Sequence, residues 1–150
     1  MNPKVKQWLS MSREELDDVY KACTESGTIP QGEMRGTAIL AGSPLSKLVA
    51  AFARLFAWQG KVFDIFAADS SAGVLVNKVT FFSLSFIVAK VYRENSWMDG
   101  RETIVIDYSK TSFLFAKVRD EIREIEPGIY LGKVWWGKTR ILDFALTTKQ

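Results

Sequence analysis

The hydrophobic and polar positions predict two helices in the first third of the chain. Ser12 and Glu15 have the spacing of a capping box, and apolar residues follow at intervals of three and four, so we expect a helix near Arg13–Ser26. Ser43-Pro44 combines a capping serine with a proline in the first turn. An apolar stripe follows it, which predicts a second helix near Leu45–Ala57.

After the second helix the pattern changes to that of strands. A first run at Glu33–Ala41 precedes that helix, and later runs rich in β-branched and aromatic residues are separated by turn signals such as Asp99-Gly100 and Pro127-Gly128. Short links and few helices favour antiparallel pairing. The later runs are Lys61–Ala67, Val74–Phe82, Ser83–Tyr92, Thr103–Tyr108, Val118–Ile125, Ile129–Trp136 and Thr139–Thr147.

These runs predict a mainly β fold with minor α+β character. About eight strands can close into a small barrel, so we expect an antiparallel meander of that kind, with an N-terminal helix and a second helix at the barrel mouth. The alternative is a curved, half-open sheet. Residues 1–150 are expected to form one domain, in which 1–32 are a helical extension and 33–150 the barrel with an inserted helix at 44–57.

The turn at Asp99-Gly100 predicts a specific hairpin. Phe86–Glu94 should pair with Arg101–Tyr108, and the loop Asn95–Gly100 should be exposed. An exposed loop tip tolerates added residues, so an insertion after Asp99 is expected to be nearly harmless.

One predicted strand is charged on both of its faces. Side chains alternate along a strand, so Arg119, Glu121 and Arg123 share one face, whereas Asp120 lies on the other. Buried charges need partners or a use. We predict that the arginine set points inward and binds an acidic group, since a guanidinium matches two oxygens. The alternative is pairing across strands on a solvated face.

Aromatic residues near strand starts give further candidates for ligand contacts. Gly132 shares a face with Tyr130 and Trp136, and its missing side chain can leave room for a ligand. The alternative for each is an ordinary core position. The predicted contact residues are Trp58, Phe63, Asn77, Tyr130 and Trp136.

The composition excludes several functions. The chain has no histidine, which removes histidine-based catalysis and histidine metal sites, and its single Cys23 cannot form an internal disulfide. We predict no metal and no cofactor. A net charge of +3 without a basic run predicts no nucleic-acid partner. We expect a cytoplasmic protein, because no signal peptide or apolar run of about 18 residues is present.

The strand start Trp58-Gln59-Gly60-Lys61 and the later Tyr130-Leu131-Gly132 resemble those of lipocalin-like (calycin) barrels, including little-characterised bacterial domains of that shape. The resemblance spans roughly positions 34–146. The chain lacks the disulfides and the early Gly-x-Trp of true lipocalins. The resemblance implies binding of an apolar ligand and transfers no named site.

Two main functional hypotheses follow, and a third class is a protein-interaction module in which Trp97 or Trp135 belongs to an exposed patch. The first is binding of an apolar small molecule in the barrel cavity, with an acidic head group of the fatty acid or isoprenoid type. The second is a histidine-free isomerase, cyclase or hydrolase that uses a buried carboxylate and a tyrosine of the same cavity. The second helix allows at most weak contact with a membrane surface. The residues that would carry catalysis are Asp107, Asp120, Tyr108 and Tyr130.

Overall fold

A computed structural model describes residues 1–42, 47, 49–50, 62–65, 74–75, 89–109 and 116–148. Two short helices precede the sheet, α1 at Pro3–Trp8 and α2 at Arg13–Ala22. The strands are β1 Gly32–Ile39, β2 Val62–Ile65, β3 Val74–Leu75, β4 Ala89–Asn95, β5 Glu102–Asp107, β6 Val118–Glu126, β7 Ile129–Trp136 and β8 Thr139–Thr148.

The strands form one antiparallel sheet in the order β2-β1-β8-β7-β6-β5-β4-β3. Six long strands make up its body, and the short β2 and β3 lie at its two edges. The prediction of a mainly β fold with an antiparallel meander is therefore confirmed. Among the described residues β2 and β3 do not pair with each other, so hydrogen bonds do not close this sheet into the predicted barrel.

The two described helices begin at side-chain caps. The capping box predicted at Ser12 is present, because the Glu15 amide donates to Ser12 Oγ and the Ser12 amide donates to Glu15 Oε2. Before it, Asn2 caps α1 and Pro3 fills the first turn. Neither helix in the described part of the chain is long and apolar enough to cross a bilayer.

The predicted second helix lies largely outside the described residues. Residues 47, 49 and 50 are helical, as the pattern after Ser43-Pro44 predicts. Val49 is buried and belongs to the apolar cluster on one side of the sheet. The described part of this helix thus contributes to the core.

Apolar clusters cover both sides of the sheet. The main face carries the larger cluster, whose buried members are Ile29, Met34, Val49, Val91, Ile104, Ile106, Tyr108, Val118, Ile122, Tyr130, Val134, Ile141, Leu142, Phe144 and Leu146. The helix-covered face packs against α1 and α2 through Val5, Trp8, Leu16, Tyr20, Ile39, Leu131 and Ala145. The expectation that only one face of the charged strand is buried is wrong, because every residue from Val118 to Arg123 is buried.

The predicted hairpin is present, but its loop is not simply exposed. Glu94 lies opposite Thr103 in the β4–β5 register, and Gly100 has a φ of 73°. Ser96 of the loop is 4% exposed. The side chain of Asp99 is 10% exposed, because it contacts β6. The prediction of an exposed loop is therefore corrected: buried charges of β6 hold it.

Gly27 has a different role from the predicted one. A glycine shortly after the predicted helix suits its C-terminal end, but α2 ends at Ala22 and Cys23 is extended. Gly27 has a φ of 81°, and a Cβ added there would lie 2.3 Å from Cβ of Glu124. The residue is thus suited to a close crossing over β6 rather than to a helix end.

Candidate functional site

The main face carries a carboxyl group in the middle of an apolar row. Asp120 of β6 lies opposite Ile106 of β5 and Val134 of β7. Val91 and Leu142 extend the row to β4 and β8. Asp120 is 3% exposed, and its neighbours in the row are buried as well. Strand alternation therefore places this carboxyl group among aliphatic side chains.

Asp120 has one hydrogen bond for its two carboxyl oxygens. Oη of Tyr108 donates to Oδ2 at 3.2 Å. Oδ1 has no hydrogen-bond partner in the part of the chain that the structure describes. Burial raises the pKa of Asp120 to about 7, although the hydrogen bond from Tyr108 acts in the opposite direction. Near neutral pH the acidic and ionised forms therefore coexist.

A half-buried carboxylate of the main face, Glu124, has partners for both oxygens. Glu124 lies on β6 four positions after Asp120. It accepts hydrogen bonds from the amides of Gly128 and Thr28 at 2.8 Å each, and from Oη of Tyr130 at 3.3 Å. Burial alone would raise the pKa of Glu124, but these hydrogen bonds, led by that from Gly128, hold it below its ordinary value. Glu124 thus fastens the segment after α2 to the sheet.

Arg119 and Glu121 form a bonded pair on the helix-covered face. Nε and Nη2 of Arg119 donate to Oε1 of Glu121 at 3.1 and 3.0 Å. Nη2 also donates to the carbonyl of Asn95, and Nη1 donates to Oε2 of Glu94. Glu121, which is fully buried, accepts from Oγ of Ser96 at 2.6 Å. Both side chains therefore hold β4 and its loop.

All five N–H donors of Arg123 are bonded. Two of them meet the two oxygens of Asp99, and the others reach the carbonyls of Tyr20, Arg101 and Glu102. The guanidinium also lies 4.3 Å from the ring centroid of Tyr20 on α2. The predicted ligand-binding set of Arg119, Glu121 and Arg123 thus lies beneath α2 and the β4–β5 loop. It does not share a face with the Asp120 row.

An edge-to-face pair of tryptophan rings, Trp97 and Trp135, covers the outer end of the hydrogen-bond network around Arg119. The ring of Trp97 lies 4.3 Å from Cζ of Arg119 and 3.6 Å from Nζ of Lys138. Its centroid is 5.8 Å from that of Trp135, with the rings at 74°. Nε1 of Trp135 is buried, and the described residues offer it no hydrogen-bond partner. Trp97 is 38% exposed, so one ring of this pair contacts solvent.

The remaining candidates for catalysis separate onto both faces. Asp107 lies opposite Arg119 rather than beside Asp120, and it accepts from Oη of Tyr92 at 3.2 Å. Tyr130 is on the main face, but its hydroxyl bonds the carbonyl of Thr28 and the carboxylate of Glu124. The structure thus brings together Tyr108 and Asp120 only. No group of three acidic or cysteine side chains that could hold a metal ion is present in the described ranges.

The aromatic candidates are only partly described. Trp136 is half-buried against the main-face cluster. The backbone of Phe63 lies opposite Met34 in β2. The side chain of Phe63 lies outside the described part of the chain, as do Trp58 and Asn77 entirely.

Gly132 does not leave the room that the sequence suggested. A Cβ added at Gly132 would lie 2.3 Å from Cζ of Phe144, which faces it from β8. The Phe144 ring therefore fills the space, so this glycine serves packing within the core.

The sequence analysis missed the charge network between α2 and the sheet. Lys133 of β7 is fully buried, and its Nζ lies 2.9 Å from Oδ1 of Asp17 on α2 and 3.3 Å from Oδ1 of Asp143. Arg140 pairs with both carboxylates. Lysine in the middle of a strand was the available signal, because a buried lysine requires acidic partners from another element.

A separate groove of about 510 Å³ lies at the start of α1. Its described lining residues include Met1, Arg35, Pro127 and Thr148. None of these carries a buried polar atom without a partner. Among the described residues, Oδ1 of Asp120 and Nε1 of Trp135 are the buried side-chain polar atoms without a partner, and of these two only Asp120 is ionisable near neutral pH.

Comparison with known proteins agrees on the fold and adds no activity. No protein-family model and no curated protein matches the chain. A solved structure titled "Crystal structure of protein from Thermomonospora curvata" is similar at a TM-score of 0.53 and 14% identity. The match covers 98% of this chain and 95% of the other. At this identity the similarity concerns the fold alone.

Proposed function

We propose that this protein binds an apolar small molecule within a lipocalin-like barrel, and that Asp120 and Tyr108 supply the polar contact to it. The proposal depends on one observation: Oδ1 of Asp120 is buried and has no hydrogen-bond partner among the described residues. An unsatisfied buried polar group costs about 1–3 kcal/mol. Such groups are concentrated at sites where a ligand or a reaction uses them.

Other carboxylates of the same protein, two of them buried (Glu121 and Asp143) and two half-buried (Glu124 and Asp99), support this interpretation. Glu121, Glu124, Asp99 and Asp143 each have both carboxyl oxygens bonded. These groups hold helices and loops in place, and their bonding is complete. Asp120 differs in having one oxygen without a partner among the described residues, which is the state expected of a group that binds a ligand.

The surroundings of Asp120 are those of a small-molecule site. Ligand pockets are mostly apolar and contain a few polar groups that orient the ligand. The apolar row across β4 to β8 has this character, with Asp120 as its polar member and the hydroxyl of Tyr108 bonded to it. The acidic head group suggested by the sequence is not retained in the proposal, because the donors of Arg119 and Arg123 are engaged on the opposite face.

A fluorescence titration with the neutral dye N-phenyl-1-naphthylamine tests the proposal. We expect one saturable site in the wild type, and Asp120→Asn should change the dye affinity about three- to tenfold, the scale of one net hydrogen bond. Asp107→Asn is the matched control, because Asp107 accepts a tyrosine bond of the same 3.2 Å length on the other face. Absence of saturable dye binding, together with no apolar molecule in native mass spectra of the purified protein, would refute the proposal.

A second candidate function is acid–base catalysis by the same pair. The pKa of Asp120, raised to about 7 by burial, is matched to proton transfer near neutral pH. Tyr108 lies within hydrogen-bond distance as a partner. This is the arrangement predicted for a histidine-free isomerase, cyclase or hydrolase.

Catalysis is distinguished from binding by its pH profile. A turnover that follows one ionisation near pH 7 and disappears in Asp120→Asn, with dye binding retained, supports the enzyme. A screen of apolar ketones and epoxides by liquid chromatography with mass spectrometry supplies the assay, because chromatography separates isomers of equal mass. Equal conversion by wild type and Asp120→Asn would exclude this candidate.

A further inference from the structure

We infer that the Asp120 site selects apolar molecules that end in a hydrogen-bond donor, an amine before a hydroxyl, and discriminates against those that end in a carboxylate. This inference rests on the proposed function and names its ligand class. The unpaired Oδ1 of Asp120 is an acceptor when ionised, since a carboxylate has only lone pairs to offer. A ligand amine or hydroxyl supplies the missing hydrogen.

The hydroxyl of Tyr108 strengthens the preference. It donates to Oδ2, and this bond favours the ionised carboxylate of Asp120. The remaining oxygen then carries charge that only a donor can satisfy. A ligand carboxylate at the same place would instead put two negative charges side by side in apolar surroundings, which strongly disfavours binding.

No cation among the described residues is free to offset that repulsion. Within the described residues, the charged groups on the main face besides Asp120 are Arg93 of β4, Glu102 of β5 and Glu124 of β6, Tyr108 and Tyr130 are its titratable hydroxyls, and Lys47 of the second helix is exposed to solvent. Arg93 donates to Ser26 and to the carbonyl of Gly27 and pairs with Glu102. On β8 the side chains of the main-face cluster, Ile141, Leu142, Phe144 and Leu146, are apolar.

The discrimination should depend on pH. Burial places the pKa of Asp120 at about 7, so the neutral acid dominates at pH 5.5 and the carboxylate at pH 8.5. A neutral acid has its own O–H and can donate to a ligand oxygen. Rejection of a carboxylate ligand should therefore weaken as the pH falls.

Competition between ligands of equal chain length tests the inference. Dodecylamine, 1-dodecanol and dodecanoate, each below its micelle concentration, displace N-phenyl-1-naphthylamine from the wild type at pH 8.5 and 5.5. At pH 8.5 the amine should bind at least about tenfold tighter than dodecanoate, the scale of a hydrogen bond to a charged group, with the alcohol between them. At pH 5.5 the difference should shrink to about threefold or less.

Variants separate this inference from the proposed function. Asp120→Asn should remove the pH dependence and most of the amine preference, whereas Asp107→Asn should keep both. Equal displacement by all three ligands at pH 8.5 would overturn the inference and leave the binding proposal standing. No dye binding in the wild type would refute both the inference and the binding proposal. If Asp120→Asn does not fold, the competition results for the wild type at pH 8.5 and 5.5 still test the inference.

Discussion

Arg123 holds Asp99 by two parallel hydrogen bonds, from Nη1 to Oδ2 at 2.7 Å and from Nη2 to Oδ1 at 2.8 Å. The first residue lies on β6, and the second lies in the loop that joins the neighbouring strand β5 to β4. This forked contact keeps the pKa of Asp99 well below its usual range, chiefly through the hydrogen bonds from Arg123. A loop that looks like a free hairpin end is thus bound to the centre of the sheet.

We predict that Arg123→Met destabilises the protein by about 3–5 kcal/mol, because removal of one partner leaves buried polar groups unpaired. Arg101→Met is the control: this side chain also contacts Asp99, but it is 42% exposed, so its loss should cost below about 1 kcal/mol. Urea unfolding monitored by tryptophan fluorescence gives both values. Equal effects of the two substitutions would contradict the assigned role of Arg123.

An insertion of two glycines after Asp99 should destabilise the wild type, contrary to what the sequence alone suggests. Arg123 bonds both Asp99 and the carbonyl of Arg101, so added residues separate two groups that it holds together. We expect a loss of about 2–3 kcal/mol, the scale of one or two hydrogen bonds to a charged group. The same insertion in an Arg123→Met background should cost clearly less. Identical losses in both backgrounds would show that the loop is held by other means.

Stability should fall as the pH rises from about 4 towards 7, on account of Asp120. The pKa of this carboxyl group is raised from 3.8 to about 7 in the folded protein, so within that window the folded state binds more protons than the unfolded state. The free energy of unfolding then decreases by at most about 1.4 kcal/mol per pH unit. Asp120→Asn should remove this component. Parallel pH profiles of the two proteins would show that Asp120 does not titrate in the window.

Gly132→Ala should destabilise the protein by about 1–3 kcal/mol, as expected for overpacking of a core. The new Cβ would lie 2.3 Å from the Phe144 ring. Phe144→Leu in the same chain should recover part of the loss by freeing that space, which a double-mutant cycle measures. Additive losses would mean that the two positions do not compete for the same volume.

Local signals in the sequence predicted local structure well. The capping box at Ser12 and the turn at Pro127-Gly128 act within a few residues, and the structure has α2 and the β6–β7 turn there. The sequence did not show that α2 and the β4–β5 loop cover the charged strand β6, because those contacts join residues that are far apart in the sequence. Tyr20 meets Arg123 across 103 positions, and Lys133 meets Asp17 across 116. No periodicity within β6 shows which element will lie on each face.

The candidate site was predicted in part for the same reason. Asp120 and Tyr108 were both identified, because a carboxyl and a phenol in strand patterns are rare enough to notice. Their pairing depends on the β5–β6 register, in which Ile106 lies opposite Asp120. Alternation places Asp107 and Tyr108 on opposite faces, and the observed register shows that Tyr108 is the one that shares a face with Asp120.

The burial of both faces of β6 also protects the alignment of the sheet. A slip by one residue would exchange the two faces of a strand. Arg119, Glu121 and Arg123 would then enter the apolar cluster without their partners, while Val118 and Ile122 would meet the charges beneath α2. Misaligned pairings of this strand are therefore strongly disfavoured during folding. The charged strand therefore fixes the register of the sheet, whereas a uniformly aliphatic strand would allow it to slip.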